Sequence, residues 1–565
     1  MVDCKTMWRI PFRLWSMAVL SGLLQVLPFP IAGPVPPWRA AVCWFAVVPL
    51  LVALTAKDAD GNPIRIRDGF FLGYCSGFIW YLGNCYWIFR TMHYYGGIDA
   101  PASAGILVLF CLYLGLYHAL FGTVFACVRR TPLGRGGALA LSPFLWVAVE
   151  LARSRITGFP WDVLGTAQVD NLLLMHLAPI TGVYGVSFAV AAVNALWLAR
   201  ITLKEQRYTR VLLTCGAVAI LAVYFISSRR ALRPMKESAP GIATLVQENL
   251  GVGSPSVSTG PMLTEDEKLQ EFSRLSLFPS MNSCDGIPGL SSTKCINVTN
   301  AMPENSFTQP SPTGLIVWPE APNDFFERDP QFRAVLSALA RNANAPVIAG
   351  DVGVDPDPAA PSGYYLYNSA EFIGPDGSLA GRYDKMHLVP FGEYTPYKKL
   401  FFFAGSLLQN VGVFEPGRRR KVFRSGSHTY GTFICYESIF PDEVRRFASL
   451  GADVLVNISD DGWYGDTSAA WEHLNMVRMR AIENHRWVLR ATNTGVTAAI
   501  DPNGRVVEAA PRNQRTALRV AFGYEHDITF YAAHGDWFAY LCSLVTIATL
   551  AFALLHRHSP GARVC

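Results

Sequence analysis

Three residues in the second half of this 565-residue chain have types that together do covalent acyl chemistry. Glu320 follows the apolar run Leu-Ile-Val-Trp-Pro, and Cys435 follows Gly-Thr-Phe-Ile. Lys385 sits in Gly-Arg-Tyr-Asp-Lys-Met-His-Leu-Val-Pro-Phe-Gly-Glu-Tyr. A free thiol has a pKa near about 8.5 and needs a base or a positive neighbour to become nucleophilic. A carboxylate such as Glu320 can take that proton. Lys385, a compact cation with movable donors, suits the oxyanion of a tetrahedral intermediate. Taken singly, each residue has a commonplace explanation. A cysteine after a strand packs, a Glu after Trp-Pro is solvated, and a Lys among charges lies on the surface. Their joint placement after apolar runs points to a site, because α/β folds gather functional groups at strand ends along one sheet edge.

The elements that must position them begin near Gly241, where short β-rich runs alternate with helical stretches. Strands are expected at Ile242–Gln247, Gly314–Trp318, Val347–Val352, Tyr364–Ile373, Thr432–Cys435 and Val454–Ile458. Thr264 with Glu267 forms a capping box for a helix through Leu275. Asp329 before Pro330 opens another helix that ends near Asn344. Ala470–Arg486 is helical, and Trp487–Ile500 is a strand-like run into a turn at Asp501-Pro-Asn-Gly. Turn chemistry also marks Pro375-Asp-Gly. The pattern is an α/β sandwich with mixed strands. Phe278–Thr313 is rich in Ser, Pro, Asn and Gly and is expected to be a long surface loop. Within it, Cys284 and Cys295 either pair in an oxidising compartment or stand as free thiols. The Asn297-Val-Thr and Asn457-Ile-Ser sequons are discounted, since a three-residue match arises cheaply.

The first half is different. Overall, 51% of residues are hydrophobic and only 16% are charged, against about 25% charged in soluble domains. Seven apolar segments are expected before residue 228. They lie near Phe12–Ala32, Ala40–Ala56, Gly69–Arg90, Ala104–Val128, Ala138–Ala152, Leu172–Leu198 and Val211–Ser227, and an eighth lies at Trp537–Leu555. The alternative for the first is a signal peptide, but six more spans follow and no small-residue cleavage site is evident before Pro34. Lys and Arg crowd the N-terminus, the second, fourth and sixth connections and the C-terminal tail. The positive-inside rule then puts both termini in the cytoplasm and residues 228–536 outside. Arg153, Arg155, Arg229, Arg230 and Arg233 run against the rule. His118 and Glu150 are the ionisable residues noted within or near the spans, too few for an ion path. The net charge of +5 is small and does not suggest nucleic acid. Most of the 12 cysteines lie in apolar runs and no CxxC spacing occurs.

Trp318-Pro-Glu320, Lys385 within Asp-Lys-Met-His-Leu-Val-Pro-Phe-Gly-Glu, and Cys435-Tyr-Glu437 resemble the nitrilase (carbon–nitrogen hydrolase) superfamily. Nearly the whole chain is similar to the apolipoprotein N-acyltransferase family of Gram-negative bacteria, with Gly158-Phe-Pro-Trp161 and Arg478-Met-Arg-Ala-Ile-Glu483 as further matching motifs. The resemblance implies an α-helical membrane domain of about eight transmembrane helices plus a nitrilase-like αββα sandwich. The divisions are 1–228, a periplasmic catalytic domain at 229–535 with 278–313 inserted, and 536–565. It implies Glu320, Lys385 and Cys435 as the triad, with Glu393 and Glu437 orienting Lys385 and the pocket. Trp318, Asn368, Tyr436, Trp463 and Trp161 are candidate pocket residues. The implied reaction passes an acyl chain from a phospholipid to Cys435, then to the α-amino group of a diacylglyceryl-cysteine on an apolipoprotein. A monomer in the bacterial inner membrane is expected.

No cofactor is required. His387, His473 and His485 lack metal-ligand spacing, and the chemistry needs no metal. One departure from the family is Asp460, where an Asn is more usual; the 278–313 insertion is another. Two alternatives stay open at this level: a membrane-anchored nitrilase-type amidohydrolase using water as acceptor, and a non-enzymatic membrane protein on the same fold.

Overall fold

The computed structural model describes residues 10–57, 61–202, 241–252, 263–279, 283–290, 293–296, 313–320, 325–360, 362–394 and 414–556. They form two compact units. One comprises 1–89, 101–234 and 536–565, and the other comprises 90–100 and 235–535.

The second unit holds two sheets. The first has six strands in the order β14-β1-β4-β5-β6-β7. These are β1 (Gly241–Gln247), β4 (Leu315–Val317), β5 (Val347–Pro356), β6 (Tyr364–Ile373), β7 (Leu379–Asp384) and β14 (Thr516–Phe522). The second has eight strands in the order β3-β2-β13-β12-β11-β10-β9-β8. These are β2 (Ser283–Asp285), β3 (Lys294–Ile296), β8 (Val422–Ser425), β9 (His428–Ile434), β10 (Val454–Ser459), β11 (Trp487–Thr492), β12 (Ala498–Ile500) and β13 (Val506–Ala509). Each sheet is mixed. The runs β1-β4-β5 and β9-β10-β11 are parallel, and the remaining pairs are antiparallel.

Alternation along the strands sorts their side chains. Leu245, Val317, Ile348, Ile434, Val456 and Leu489 share one core between the sheets. Val246, Ile316 and Trp318 face the other way, onto a second core with Leu269, Phe272 and Phe332. Those last residues belong to two helices, Glu265–Leu277 and Pro330–Ala343. Both open as their caps dictate. Thr264 and Glu267 exchange bonds in a capping box, and Asp329 accepts the Gln331 N–H at 2.7 Å ahead of Pro330. Helices Pro441–Ser449 and Ala469–Asn484 belong to the second sheet's half. The result is an αββα sandwich.

Two expectations need correction. The 278–313 segment is not wholly loop: β2 and β3 pair antiparallel and extend the eight-stranded sheet beyond β13. Cys284 and Cys295 stand opposite each other there and form a disulfide. Strands of three residues carry too little alternation to be legible. The Trp487–Ile500 run is likewise two antiparallel strands, turned between Asn493 and Thr497.

A buried acid pair sits on the outer face of the first sheet. Asp351 and Glu371, on adjacent strands, have no hydrogen-bond partner for any carboxylate oxygen. Burial, reinforced by Glu327, pushes Glu371 up to about 7 against the pull of Arg333 and Arg382. In the unfolded chain a Glu titrates near about 4.3. The folded state therefore prefers the protonated acid. That contribution is complete below the unfolded value and is lost as pH rises through about 7. Glu371→Gln should remove the loss, which is on the order of 3 kcal/mol. Melting of the detergent-solubilised chain at pH 5 and pH 8.5 checks this. Wild type should fall by several degrees relative to the variant, and parallel curves would exclude Glu371 as the cause.

Among the described residues, the helical unit contains four helices long and apolar enough to span a membrane: Pro37–Leu54, Ala100–Arg129, Val183–Thr202 and Trp537–Leu555. Helices Ile66–Asn84 and Gly134–Ala152 match them in length but are more polar, and Phe12–Val26 is shorter. The expected span Leu172–Leu198 breaks at Gly182, whose φ of +66° suits glycine. The expected span Val211–Ser227 lies outside the described residues. Close helix packing rests on small residues: a Cβ on Gly73 would fall 2.2 Å from the His118 carbonyl, and one on Gly122 2.1 Å from that of Gly69. His118 is a packing residue, bonded to Gln25 at 3.2 Å and ringed by Trp80, Tyr81 and Trp146. Two of the arginines that run against the positive-inside expectation, Arg153 and Arg155, have partners. Arg155 pairs with buried Asp536 at 2.6 Å, and buried Arg153 lies over Trp80 and Tyr81.

Candidate active site

Each proposed reacting group follows a strand. Glu320 lies three residues beyond the end of β4, Lys385 directly follows β7, and Cys435 directly follows β9. Between β9 and the helix Pro441–Ser449 the chain makes a short 3₁₀ turn that Cys435 opens. Cys435 therefore ends the strand run rather than belonging to it, and its φ is +48°. A residue with a Cβ is strained there, and such strain clusters at functional sites. Glu437 secures the turn. Its carboxylate accepts the Ile434 N–H at 2.8 Å, the Met386 N–H at 2.6 Å and the Tyr383 hydroxyl at 2.8 Å. Glu437 thus ties the Cys435 turn to the backbone beside Lys385. Burial, with Glu443 nearby, pushes its acid up to about 7.

Lys385 is buried and bridges two carboxylates. Its Nζ donates to Glu320 Oε1 at 3.0 Å and Glu393 Oε1 at 2.9 Å. Burial alone would strip the proton, but Glu320 and Glu393 override it and hold the ammonium charged. Asn368, on β6, donates to the same two oxygens at 2.7 and 2.5 Å. Glu393 is anchored by the Val389 N–H at 2.7 Å. The other oxygen of Glu320, Oε2, accepts the main-chain N–H of Asp460 at 2.8 Å. Both oxygens of Glu320 are thus oriented before any substrate arrives.

Cys435 is buried beside these charges. Burial and the Glu320 carboxylate push its thiol well up, and Lys385 opposes them. The resting group is a neutral thiol, so proton removal must accompany attack. Burial pushes the Asp460 carboxyl well up, with Glu320 reinforcing it, and its side chain accepts the Gly462 N–H at 2.9 Å and the Asn493 amide at 3.3 Å.

The aromatic candidates scatter. Tyr436 is buried with its ring edge-on to Phe440 at 5.3 Å. Trp463 is partly exposed, and its carbonyl accepts the Thr91 hydroxyl at 3.0 Å. Tyr95 packs edge-on to its ring at 6.3 Å. Residues 90–100, expected as part of a simple connection, therefore belong to the unit that holds the two sheets. The signal was present in a charge-poor stretch carrying Tyr94 and Tyr95. Trp318 is a correction: it is core, packed on Phe272 and Phe325 with its indole N–H on Ser276 at 2.8 Å. Period-2 alternation turns it away from the inter-sheet side. Trp161 belongs to the helical unit, stacked on Phe159 and tilted against Trp87.

His387 stacks on Phe440. Among the described residues, one trio offers metal-type ligands, His485, Glu525 and Asp527, with ligand atoms within 4.8 Å of one another. Arg486 lies 3.5 Å from Asp527 and already supplies a cation.

The N-terminal part of the chain, residues 21–196, matches the apolipoprotein N-acyltransferase N-terminal domain. Residues 293–522 match the carbon–nitrogen hydrolase family. Over 551 residues the chain is 33% identical to the apolipoprotein N-acyltransferase of Geobacter metallireducens, covering 96% of each protein. The chain belongs to the apolipoprotein N-acyltransferase family. A second member, from Methylococcus capsulatus, is 31% identical over 556 residues, covering 96% of this chain and 97% of that one. The carbon–nitrogen hydrolase from Helicobacter pylori is a looser structural likeness, at 16% identity and a TM-score of 0.33 over 57% of this chain and 95% of the other. Within this chain, the carbon–nitrogen hydrolase match runs from just before β3 to the end of β14 and includes Glu320, Lys385 and Cys435.

Proposed function

We propose that this protein moves a fatty acyl chain from a phospholipid to the α-amino group of the diacylglyceryl-cysteine that begins an apolipoprotein, through a thioester on Cys435. The observation that carries this is the buried Lys385 held between Glu320 and Glu393, in a unit where Cys435 opens a strained turn. Family membership supplies the substrate class.

Glu320 takes the thiol proton as sulfur attacks the ester carbonyl. The Lys385 ammonium faces the oxyanion. The carbon–oxygen bond breaks, Glu320 protonates the departing glycerol oxygen, and a lysophospholipid leaves. The amine then attacks the thioester and gives its proton to Glu320, which returns it to sulfur as the amide forms. Both half-reactions use the same base and the same cation, and neither needs a cofactor.

The chain is proposed to cross the bacterial inner membrane eight times as a monomer, with divisions at 1–228, 229–535 and 536–565. Four apolar helices and the loop charges support this. The catalytic domain then faces the periplasm, where both substrates have their headgroups.

Incubating the purified protein with phosphatidylethanolamine alone tests the scheme. Intact mass should gain one acyl group, mapped to Cys435, with lysophospholipid released in equal amount. Adding a synthetic diacylglyceryl peptide with a free amine should discharge it. Release of free fatty acid without amine acylation would favour the amidohydrolase alternative. Full turnover with no adduct would exclude the covalent step.

A further inference from the structure

Directly behind the proposed nucleophile lies a buried polar network that the reaction scheme leaves unused. His473, on the helix Ala469–Asn484, is fully buried. Its Nε2 lies 3.1 Å from the main-chain carbonyl of Cys435 and 2.5 Å from the Ser438 hydroxyl. Its Nδ1 lies 2.9 Å from Asp461 Oδ1. Asp461 in turn accepts Arg490 at 2.6 Å and the Ser459 hydroxyl at 2.8 Å. Ser459 closes β10 and Arg490 lies on β11, so the network is bolted to the sheet.

We infer that His473 is a positioning residue for acyl transfer: its Nε2–H grips the Cys435 carbonyl and holds the nucleophile in its left-handed backbone conformation. This rests on Cys435 being the nucleophile. The left-handed region is unfavourable for a residue with a Cβ and persists only where the surroundings over-determine it. Relaxation of Cys435 to an extended conformation would swing its sulfur away from Glu320. The hydrogen bond to the carbonyl resists that rotation because the ring cannot follow. Asp461 holds one edge of the ring, and the helix fixes the other end. The Cys435 carbonyl is an acceptor only, so Nε2 meets it as a donor, while Nδ1 faces Asp461 and, at 3.2 Å, the Arg490 guanidinium. Asp461 is the orienting group of this pair, much as carboxylates orient histidines elsewhere.

Two amide variants separate positioning from packing. In His473→Gln the side-chain amide reaches near the Nε2 position, while in His473→Asn it reaches only near Nδ1. The assays are single-turnover thioester formation on Cys435 with phosphatidylethanolamine micelles, steady-state kcat and KM, and the melting temperature of each protein. His473→Gln should keep the thioester rate within about fivefold of wild type, and His473→Asn should lose about 30-fold in kcat with KM little changed. A wild-type rate in His473→Asn, or equal losses in both variants, would overturn the inference. Ser438→Ala leaves the Cys435 carbonyl as the Nε2 partner and should stay within about twofold. A loss there as large as that expected for His473→Asn would assign the ring to Ser438 instead, and this arm holds even if His473→Asn does not fold. Cys435→Ala separates the two levels. Activity in that variant would remove the nucleophile itself, whereas an inactive Cys435→Ala beside a fully active His473→Asn removes only the positioning role.

Discussion

Cys435→Ser should abolish acyl transfer and leave no acyl group on the protein, with a fall of at least about a thousandfold in kcat/KM. The substitution changes one atom and keeps the turn, so the melting temperature should stay close to wild type. The physical reason lies in the neighbourhood. Burial and the Glu320 carboxylate already oppose ionisation of the thiol, and Lys385 favours it. A thiol with that handicap still reacts because sulfur is intrinsically nucleophilic. A hydroxyl, several pKa units harder to ionise, has no compensating partner in this site. Lysophospholipid release and amine acylation should vanish together, because both half-reactions pass through the same sulfur. Retention of a tenth of the wild-type rate would point to direct transfer without a covalent intermediate.

Lys385→Met should damage both activity and stability, and the two effects are separable. Loss of one oxyanion donor costs about 3–4 kcal/mol in the transition state, a fall of roughly a hundredfold to a thousandfold in kcat. The second effect concerns Glu320 and Glu393, whose Oε1 atoms both lie within 3.0 Å of Nζ. Without the ammonium, two buried carboxylates share only the Asn368 amide. Removing one partner from a buried ion cluster costs about 3–5 kcal/mol of stability. Lys385→Arg tells the effects apart. It returns the charge and recovers much of the melting temperature, but its planar fork cannot occupy the place of a tetrahedral ammonium bridging Oε1 to Oε1. Activity should therefore remain low in both variants. An active Lys385→Arg would show that the site needs only positive charge.

Local chemistry explains which elements were legible. The Thr264–Glu267 box and the Asp329-Pro330 start sit where expected because a cap is decided within four residues. Tyr364–Ile373 was legible end to end because a long strand with turn residues on both sides has little competition. β2 and β3 were not, because a three-residue strand exists only through its neighbour and, here, through the Cys284–Cys295 bond. Trp318 was misassigned for a related reason. It is adjacent to Val317, which faces the core between the sheets, so alternation sends Trp318 to the other core, while Glu320 lies beyond the strand end.

The sequence by itself determined the candidate reacting groups and their setting. A base and a thiol placed after apolar strand runs, with a cation between them along the chain, imply covalent acyl chemistry. The apolar segments and loop charges imply a membrane. Both follow from residue type and short-range spacing. Only the tertiary structure decided how those groups are held. Asn368, Glu393 and the Asp460 N–H converge on Glu320 and Lys385 from separate elements, at hydrogen-bond distance. His473 reaches the Cys435 carbonyl from a helix 38 residues further along the chain. Residues 90–100 join the same unit from within the helical half. Hydrogen bonds are short and directional, and the sequence separations they bridge leave no local trace. Identity and order of the chemical groups are therefore written along the chain, while their orientation exists only once the two sheets have packed.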